Sequence, residues 1–307
     1  MDLSLRLLRA FLVVAEEEHV GRAARRLFVS QPALSQDVRR LERQVGVALF
    51  DRGPRGMTLT PAGAAFADAA RGALLALDRA ADDARRAGGA GNRPRVSLAY
   101  TPSLGNDLLP RLLPELERRR PHIEISEREV DTGEAAPAVE AGRSDLALAH
   151  CPDPSPRLRA TPLADEPLVA AVAADHPLAR RDGPAALDEL AGLDLLLWPR
   201  RTAPAYHDRI LEICRAAGLT VTVRPGPRRA LTRSYLLAGR DVFALLPRGA
   251  AALPVPGLAL LPLRDPDAVV PLVLLGRHDE DRPETAEIAD ALRETVAALL
   301  DAGGPTP

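Results

Sequence analysis

The sequence contains no lysine, so all 40 of its basic residues are arginines. It has only two cysteines, Cys151 and Cys214, which lie far apart in the chain and lack the spacing of a metal-binding or redox pair. Such sparse cysteine usage suits a reducing cytoplasm, and we expect both thiols to be packing residues. No uninterrupted hydrophobic run is long enough to span a bilayer, so no membrane contact is expected.

The opening segment also lacks the features of a secretion signal. Its apolar residues from Leu3 to Ala15 are interrupted by Arg6 and Arg9 and are followed by three glutamates. This pattern favours an amphipathic first helix over a cleaved signal peptide. We therefore predict a cytoplasmic protein.

Net charge is small as well, at -2 for 307 residues, with a pI near 6.3. Bulk charge thus indicates no nucleic-acid partner, and any such prediction has to rest on the local placement of arginine. The length and the hydrophobic content of 46% suffice for two globular domains.

Motifs of catalysis are missing from the sequence. It has no glycine-rich phosphate loop, no nucleophile elbow and no two histidines at metal-ligand spacing. The adjacent pairs His150-Cys151 and His207-Asp208 have no third partner in the sequence, so they favour core or surface roles. We predict that the protein is not an enzyme and uses neither a cofactor nor a metal ion.

The stretch from Val20 to Thr60 carries the strongest pattern in the chain. Ser30 is suited to cap a helix whose apolar stripe is formed by Leu34, Val38, Leu41 and Val45. The opposite face is polar, and the first turns of such a helix can reach base edges or phosphates. The candidate DNA-contacting residues of this helix are Ser30, Gln31, Pro32, Ser35, Gln36, Arg39 and Arg40.

Two features flank this helix. The segment Val20 to Leu27 has small residues at Ala23 and Ala24, which permit close packing of a supporting helix. The segment after it reads as a tight turn with Arg52 and Arg55 near its tip, a plausible wing over the phosphate backbone. Taken alone, the polar face also fits an ordinary amphipathic helix with a solvated basic side.

The order of motifs over the first 63 residues resembles the N-terminal signature of the LysR-type transcriptional regulators. The matching residues are Ala23-Ala24, Leu27, Ser30 to Ser35, Leu41-Glu42, Gly46, Leu49-Phe50, Arg52 and Leu59 to Gly63. The resemblance implies a winged helix-turn-helix bound to double-stranded promoter DNA. One position departs from it, because many members carry a basic residue directly after the serine and this chain has Gln36.

A long helix is predicted next, since Thr60-Pro61 is a start signal and the helical pattern continues through Arg86. A coiled-coil stripe runs along it through Phe66, Ala70, Ala73, Leu77, Ala80 and Ala84. Such a stripe is equally typical of an ordinary core. The family resemblance implies a linker helix that pairs two chains, with a homotetramer as the assembly.

The rest of the chain alternates between strand and helix patterns, which favours a mainly parallel sheet with covering helices. Strands are predicted at 96–100, 123–130, 146–150, 168–173, 193–198, 221–224, 242–246 and 269–275. Helices are predicted at 108–119, 134–141, near Leu187, at 210–216, at 231–237 and at 284–300.

The resemblance implies a fold that combines α+β and α/β parts: a winged helix-turn-helix, a linker helix and a two-lobed α/β effector domain of periplasmic-binding-protein type II. The predicted domains are residues 1–60, the linker helix 61–87, a glycine-rich hinge 88–94 and the effector domain 95–307. Lobe I would cover about 95–162 and 268–302, and lobe II about 163–267.

Candidate effector-binding residues follow two strands of the first lobe. Thr101 and Ser103 come after one strand and Thr132 after the next, where ligands collect in open α/β sheets. Helix capping is an equally good explanation of Ser103 and Thr132 from the local sequence.

The resemblance adds residues from both lobes. In relatives that sense small aromatic or dicarboxylic acids, hydroxyl residues matching Ser103 and Thr132 hold the carboxylate, and residues matching Pro204, Ala205 and Tyr206 line the far side. Arg200 is a candidate countercharge, although a solvated arginine explains it as well.

The resemblance therefore implies a transcriptional regulator that responds to a small organic acid effector between the lobes and that contacts RNA polymerase. An architectural DNA-binding protein without an effector is the alternative, and a small-molecule-binding enzyme is a weaker one.

Overall fold

A computed structural model describes residues 4–53, 56–87, 93–180, 183–226, 241–252 and 254–302. The chain divides into two compact units. One unit consists of the first 92 residues together with Ala141–Arg143, and the remaining residues form the other. The predicted helix at 231–237, most of the predicted hinge, and Arg55 lie outside the described residues.

The N-terminal unit is a three-helix cluster followed by a hairpin and a long helix. Its elements are α1 (Leu5–Glu17), α2 (Val20–Arg26), α3 (Gln31–Val45), β1 (Phe50–Gly53), β2 (Gly56–Leu59) and α4 (Pro61–Ala87). The core centres on fully buried Phe11, whose ring lies 5.2 Å from that of Phe50 and 5.3 Å from that of Phe66. The predicted helix-turn-helix, wing and linker helix are thus all present.

The stripe along α4 has two different environments. Phe66 and Ala70 pack into the core of the N-terminal unit. Further along, Ala73, Leu77, Ala80 and Ala84 are exposed in the single chain, and Leu77 keeps 48% of its surface accessible. Ordinary core therefore accounts only for the first two residues of the stripe, Phe66 and Ala70.

The second unit contains nine strands and five helices among the described residues. They are β3 (Arg95–Tyr100), α5 (Pro102–Gly105), α6 (Leu108–Arg119), β4 (Glu124–Glu129), α7 (Ala135–Glu140), β5 (Leu146–His150), β6 (Leu158–Ala173), β7 (Asp194–Leu197), α8 (Pro204–Ala216), β8 (Val223–Pro225), β9 (Val242–Pro247), β10 (Leu258–Pro262), β11 (Val269–Arg277) and α9 (Pro283–Ala302). Short 3-10 turns cover Pro177–Arg180, Leu187–Leu190, Arg200–Thr202 and Arg248–Ala252.

The strands follow the order β4-β3-β5-β11-β6-β9-β7-β8, with β10 paired to β6. The 16-residue strand β6 belongs to both lobes, because it pairs with β11 up to Pro167 and with β9 and β10 from Leu168 onward. Separate apolar clusters lie on the two sides of this division. Two lobes are therefore joined through one continuous strand.

The sheet differs from the prediction in two respects. It is mixed, since β3 and β7 pair in parallel with their neighbours whereas β5, β6, β9 and β10 pair antiparallel with β11 or β6. The expectation of a mainly parallel sheet was wrong, because alternation of strand and helix patterns does not encode the direction of a returning strand. In addition, β6 starts ten residues before the predicted strand, and β10 was not predicted.

Among the described helices, none combines the length and the hydropathy needed to cross a membrane.

Candidate functional site

The polar face of α3 is exposed as predicted. Gln31, Pro32, Gln36, Arg39 and Arg40 are exposed and Ser35 is half-buried. On the opposite side, Leu34, Val38 and Leu41 are fully buried in the core. The helix therefore presents donors and cations outward on a rigid apolar base.

Three contacts fix the position of α3. The Ser30 hydroxyl accepts a hydrogen bond from the Ala33 N–H at 3.4 Å, so Ser30 is the N-cap. Asp37 accepts a bidentate pair from Arg6 of α1 at 2.7 and 2.8 Å. Glu42 accepts the backbone N–H groups of Leu49 and Phe50 at 3.0 and 3.2 Å, which ties α3 to the start of the hairpin.

The hairpin of β1 and β2 occupies the place of the predicted wing. Met57 N–H donates to the Glu18 carbonyl at 2.9 Å, which anchors β2 to the end of α1. Arg52 pairs with Met57 through its backbone in the hairpin, but its side chain lies outside the described part of the chain, as does all of Arg55. Their contact with phosphate stays a prediction.

The exposed aromatic residue Phe28, in the turn between α2 and α3, was not among the candidates from the sequence. Phe28 is 94% exposed. Its backbone φ is +56°, a value that residues other than glycine rarely adopt. An aromatic residue two positions before a helix cap was the available signal.

In lobe I, the candidate hydroxyls cluster at the carboxyl end of β3. Thr101 is the N-cap residue of α5 but makes no side-chain capping bond, and its buried hydroxyl has no hydrogen-bond partner among the described residues. Ser103 lies inside α5, half-buried, with its hydroxyl oxygen 3.3 Å from His150 Nδ1. Ser103 therefore does not cap a helix, and helix capping does not explain this residue.

His150 has partners that the sequence concealed. Its Nε2–H donates to Glu166 at 2.6 Å, and both side chains are buried. The other Glu166 oxygen accepts the Gly249 N–H of lobe II at 2.7 Å. The buried position of His150 agrees with the expected core role. Its partners were not visible in the sequence, because Ser103 and Glu166 are distant from it along the chain and meet it only through the fold of the sheet.

The Glu166 carboxyl is held ionised. Burial acts to raise its pKa, but the hydrogen bond and charge of His150, the Gly249 N–H and the charge of Arg248 outweigh burial and bring the pKa below its ordinary value. Glu166 therefore connects both lobes through a charge.

In lobe II, the predicted residues lie at the start of α8. Pro204 is its first residue, and the Ala205 N–H donates to Asp153 of lobe I at 2.8 Å. Tyr206 is 2% exposed, and its ring lies 5.2 Å from that of Trp198 within the lobe II core. Its hydroxyl is within 3.5 Å of the Leu245 carbonyl, and burial raises its pKa.

Arg200 and His207 have structural partners. Exposed Arg200 forms a bidentate pair with Asp208 at 2.8 and 2.7 Å, and this hydrogen bond raises the pKa of Arg200 and lowers that of Asp208. His207 Nδ1 lies 2.9 Å from the Trp198 carbonyl, and the side chain is buried, as expected of a core histidine.

Thr132 lies in a loop that meets lobe II. The next residue, Gly133, has a φ of +91°, and a Cβ placed there would lie 1.9 Å from the Thr202 carbonyl oxygen. Only glycine fits this position without moving the lobes apart.

The two thiols are poor nucleophiles at neutral pH. Burial raises the pKa of Cys151 to about 12 and that of Cys214 to about 11. In the described part of the chain, no cluster of three or more His, Cys, Asp or Glu side chains is arranged to hold a metal ion.

Two family models match the chain. Residues 5–64 match the "Bacterial regulatory helix-turn-helix protein, lysR family", and residues 89–297 match the "LysR substrate binding domain". The second match alone covers more than half of the chain.

Curated relatives are similar over nearly their full length. The chain is 28% identical to the HTH-type transcriptional regulator BenM of Acinetobacter baylyi over 296 residues, covering 96% of this chain and 97% of BenM. It is 32% identical to the regulator CatR of Pseudomonas putida over 281 residues, covering 92% and 95%. These relatives are named as regulators and not as enzymes.

Among solved structures, the LysR-family regulator CbnR is similar, with a TM-score of 0.75 and 25% identity, covering 96% of this chain and 99% of CbnR. Full-length CbnR in complex with its target DNA gives a TM-score of 0.71 and 26% identity, covering 95% and 100%. A helix-turn-helix with an exposed polar face, a two-lobed second unit and both family matches lead to one conclusion. The chain belongs to the LysR family of DNA-binding transcriptional regulators and carries an effector-binding domain.

Proposed function

We propose that this regulator controls its promoters in response to a small organic acid bound between the two lobes, and that its effectors are carboxylic acids, planar aromatic acids included. The observation that carries this proposal is the buried Thr101 hydroxyl, which has no hydrogen-bond partner among the described residues. A buried hydroxyl without a partner costs about 1–3 kcal/mol, so a ligand that accepts a hydrogen bond from it would recover this energy.

The neighbourhood of Thr101 suits a carboxylate. Ser103 lies two residues after Thr101, at the same end of β3, where ligands of open α/β sheets collect. The Ser103 hydroxyl oxygen lies 3.3 Å from His150 Nδ1, and Glu166 holds the His150 ring, so the Ser103 side chain has a fixed position at this strand end. Thr132, in the neighbouring loop, supplies a third hydroxyl.

The lobes are coupled at this cleft, which gives a route for the signal. Glu166 bonds His150 of lobe I and Gly249 of lobe II, and Gly133 abuts Thr202. An effector that binds one lobe arrangement better than another shifts the population toward it. The changed arrangement would then alter the geometry of the DNA-bound assembly and its contact with RNA polymerase.

Sequence recognition is assigned to the exposed face of α3. Ser30, Gln31, Pro32, Ser35 and Gln36 occupy its first turns, which reach base edges in helix-turn-helix proteins. Arg39 and Arg40, with Arg52 and Arg55 of the wing, would bind phosphates. The similar regulator CbnR has been crystallised with its target DNA.

The assembly is proposed to be a homodimer through α4 and a homotetramer of two such dimers. The four exposed residues of the α4 stripe, Ala73, Leu77, Ala80 and Ala84, support this pairing. A second α4 laid along the stripe would remove these apolar side chains from water.

The effector is tested by thermal melting of the full-length protein with a panel of small carboxylic acids. Binding to the native state raises the melting temperature by an amount set by ligand concentration over Kd. We expect at least one acid to raise it, and we expect Ser103→Ala and Thr132→Ala to weaken that shift.

The matched control is Ser126→Ala, a serine of β4 that lies away from the strand ends. It should keep the full shift. Equal shifts in wild type, Ser103→Ala and Thr132→Ala would contradict the site, and the absence of a shift with every acid would contradict the carboxylic effector.

A further inference from the structure

An aromatic side chain lies in solvent just before the first turn of α3. Phe28 is 94% exposed, whereas Val47, the next most exposed large apolar residue among those described, keeps 50% of its surface accessible. The preceding residue, Leu27, packs against the core of the N-terminal unit, and Phe28 is not part of that cluster. Two consecutive apolar residues are thus separated, one turned inward and the other outward.

The backbone fixes the outward direction of Phe28. Its φ of +56° is left-handed, and its N–H donates to the Arg25 carbonyl at 3.2 Å. The following N–H, that of Val29, donates to the Ala24 carbonyl at 3.0 Å and closes the end of α2. Glycine is the usual residue at such a helix end, because a side chain strains the left-handed conformation. The chain therefore keeps a large, exposed apolar side chain where glycine would give the more stable fold.

Phe28 adjoins the surface assigned to DNA. It precedes the N-cap Ser30 by two residues, a length of chain that spans at most about 7 Å. The intervening Val29 is exposed, as are Ser30 and Gln31, so the exposed surface continues from Phe28 into α3. A duplex that contacts the first turn of α3 therefore comes within reach of the Phe28 ring.

The charges beside the ring favour a polyanion as its partner. Arg25, in the last turn of α2, is exposed and forms no ion pair within the described part of the chain. The first N–H groups of α3 add partial positive charge on the other side of Phe28. Double-stranded DNA matches this surface, since its phosphates complement the cations while its deoxyribose and thymine methyl groups are apolar.

We propose that Phe28 is a DNA-contacting residue, and that its ring packs against an apolar group of the operator, a deoxyribose or a thymine methyl, beside the bases that α3 contacts. This inference rests on the assignment of sequence recognition to α3 in the proposed function. The ring leaves water only in the complex, so it contributes to affinity through apolar burial and without a charge.

The test is fluorescence anisotropy of the full-length protein with a labelled duplex that the wild type selects from a random library, at a series of salt concentrations. We expect Phe28→Gly to weaken binding about tenfold or more, the factor that burial of a phenylalanine side chain contributes. The slope of affinity against salt should not change, because no phosphate contact is lost. The melting temperature should equal or exceed that of wild type, because glycine relieves the left-handed strain.

Two further variants isolate the ring. Phe28→Tyr keeps it and should bind with wild-type affinity. Phe28→Asn removes it, yet asparagine adopts left-handed conformations without the flexibility of glycine, so this variant should lose affinity as Phe28→Gly does.

Two matched controls accompany these variants. Glu18→Gly, at the exposed left-handed residue that ends α1 with a φ of +50°, should likewise leave the melting temperature equal or higher. Arg40→Ala, which removes a charge assigned to phosphate, should reduce the salt slope by about one. A duplex with uracil in place of thymine identifies the group contacted: the effect of Phe28→Gly disappears for a thymine methyl and persists for a deoxyribose.

Wild-type affinity in both Phe28→Gly and Phe28→Asn, with weakened binding by Gln31→Ala in the same titration, overturns this inference and leaves the assignment of α3 in place. Wild-type affinity in Gln31→Ala as well overturns both. A loss of affinity in Phe28→Tyr equal to that in Phe28→Gly, or a lower melting temperature in Phe28→Gly, assigns the ring to the fold and also overturns the inference.

Discussion

At the scale of single residues, the two faces of α3 differ: one packs into the core and the other is exposed to solvent. Leu34, Val38 and Leu41 are buried because their spacing places them on one side of a helix. Gln31 and Arg39 are exposed by the same periodicity. Substitutions on the exposed face should therefore change binding to DNA without changing the fold.

We predict that Gln31→Ala weakens binding to a specific operator by about 1–3 kcal/mol, the discrimination that one bidentate contact to a base contributes. Because the side chain is exposed, the melting temperature should not change. Fluorescence anisotropy with a labelled operator, at fixed salt concentration, measures the effect.

Arg293→Ala is the control, since Arg293 is an exposed residue of α9 and pairs only with Asp290 among the described residues. Its operator affinity should equal that of wild type. If Gln31→Ala and Arg39→Ala both bind the operator with wild-type affinity, the exposed face of α3 does not recognise the operator.

Tyr206 illustrates what a residue pattern leaves open. The family resemblance predicts that its side chain lines the cleft, and it lies in the predicted segment at the start of α8. Its ring, however, is buried against Trp198 in the lobe II core. Its role in effector contact stays a prediction, and only the packing of α8 determines which way the ring points.

At the scale of elements, the junction of the wing and α4 is a compact unit. The Thr60 hydroxyl accepts the Gly63 N–H at 2.9 Å and donates to the Ala48 carbonyl at 2.9 Å. A Cβ on Gly63 would lie 1.9 Å from the Leu49 carbonyl oxygen. The Thr-Pro-Ala-Gly signature is thus explained by a cap and by a close backbone contact.

We predict that Gly63→Ala destabilises the N-terminal unit by about 1–3 kcal/mol, the usual cost of overpacking. In a helix free of this contact, the same change would stabilise by about 1 kcal/mol. Urea denaturation, monitored by circular dichroism, measures whether Gly63→Ala raises or lowers the free energy of unfolding.

Ala65→Gly, at an exposed position of the same helical turn, should destabilise by about 1 kcal/mol through helix propensity alone. A Gly63→Ala variant as stable as wild type or more so would show that α4 and the wing do not approach as closely as described.

At the scale of the whole effector domain, Glu166 links the two lobes through its hydrogen bonds to His150 and Gly249. It lies next to Pro167, the last residue of β6 that pairs with β11. Its pKa is below its ordinary value, so it stabilises the fold above about pH 4.3, where an unfolded glutamate is ionised. This stability is lost as the pH falls through the lower folded pKa.

We predict that Glu166→Gln lowers the free energy of unfolding at pH 7 by about 1.5–3 kcal/mol, the range for a hydrogen bond to a charged group. The difference in the free energy of unfolding between wild type and Glu166→Gln should shrink between pH 5 and pH 3, because the Glu166 carboxylate of wild type becomes protonated and glutamine does not titrate. Denaturant titrations at several pH values measure it.

Glu212→Gln, an exposed carboxylate of α8, should follow the wild-type curve. Parallel pH curves for Glu166→Gln and wild type would contradict an ionised Glu166 between the lobes.

The sequence by itself determined the family, the helix α3 with its exposed polar face, and most elements of the effector domain. α6 and β5 begin and end where they were predicted, because the apolar spacing of the helix and the short apolar run of the strand are local patterns. The polar face of α3 was predictable for the same reason, since helical periodicity sorts neighbouring residues without reference to distant ones.

Only the tertiary structure decided which distant residues meet at the cleft. His150 with Glu166, Asp153 with Ala205, and Gly133 with Thr202 are each separated by many residues and brought together by strand order. The antiparallel pairing of β11 and the length of β6 were also decided by which strands lie side by side. Pairing energy depends on which strand lies alongside, and a one-dimensional pattern of apolar and polar residues does not contain that information.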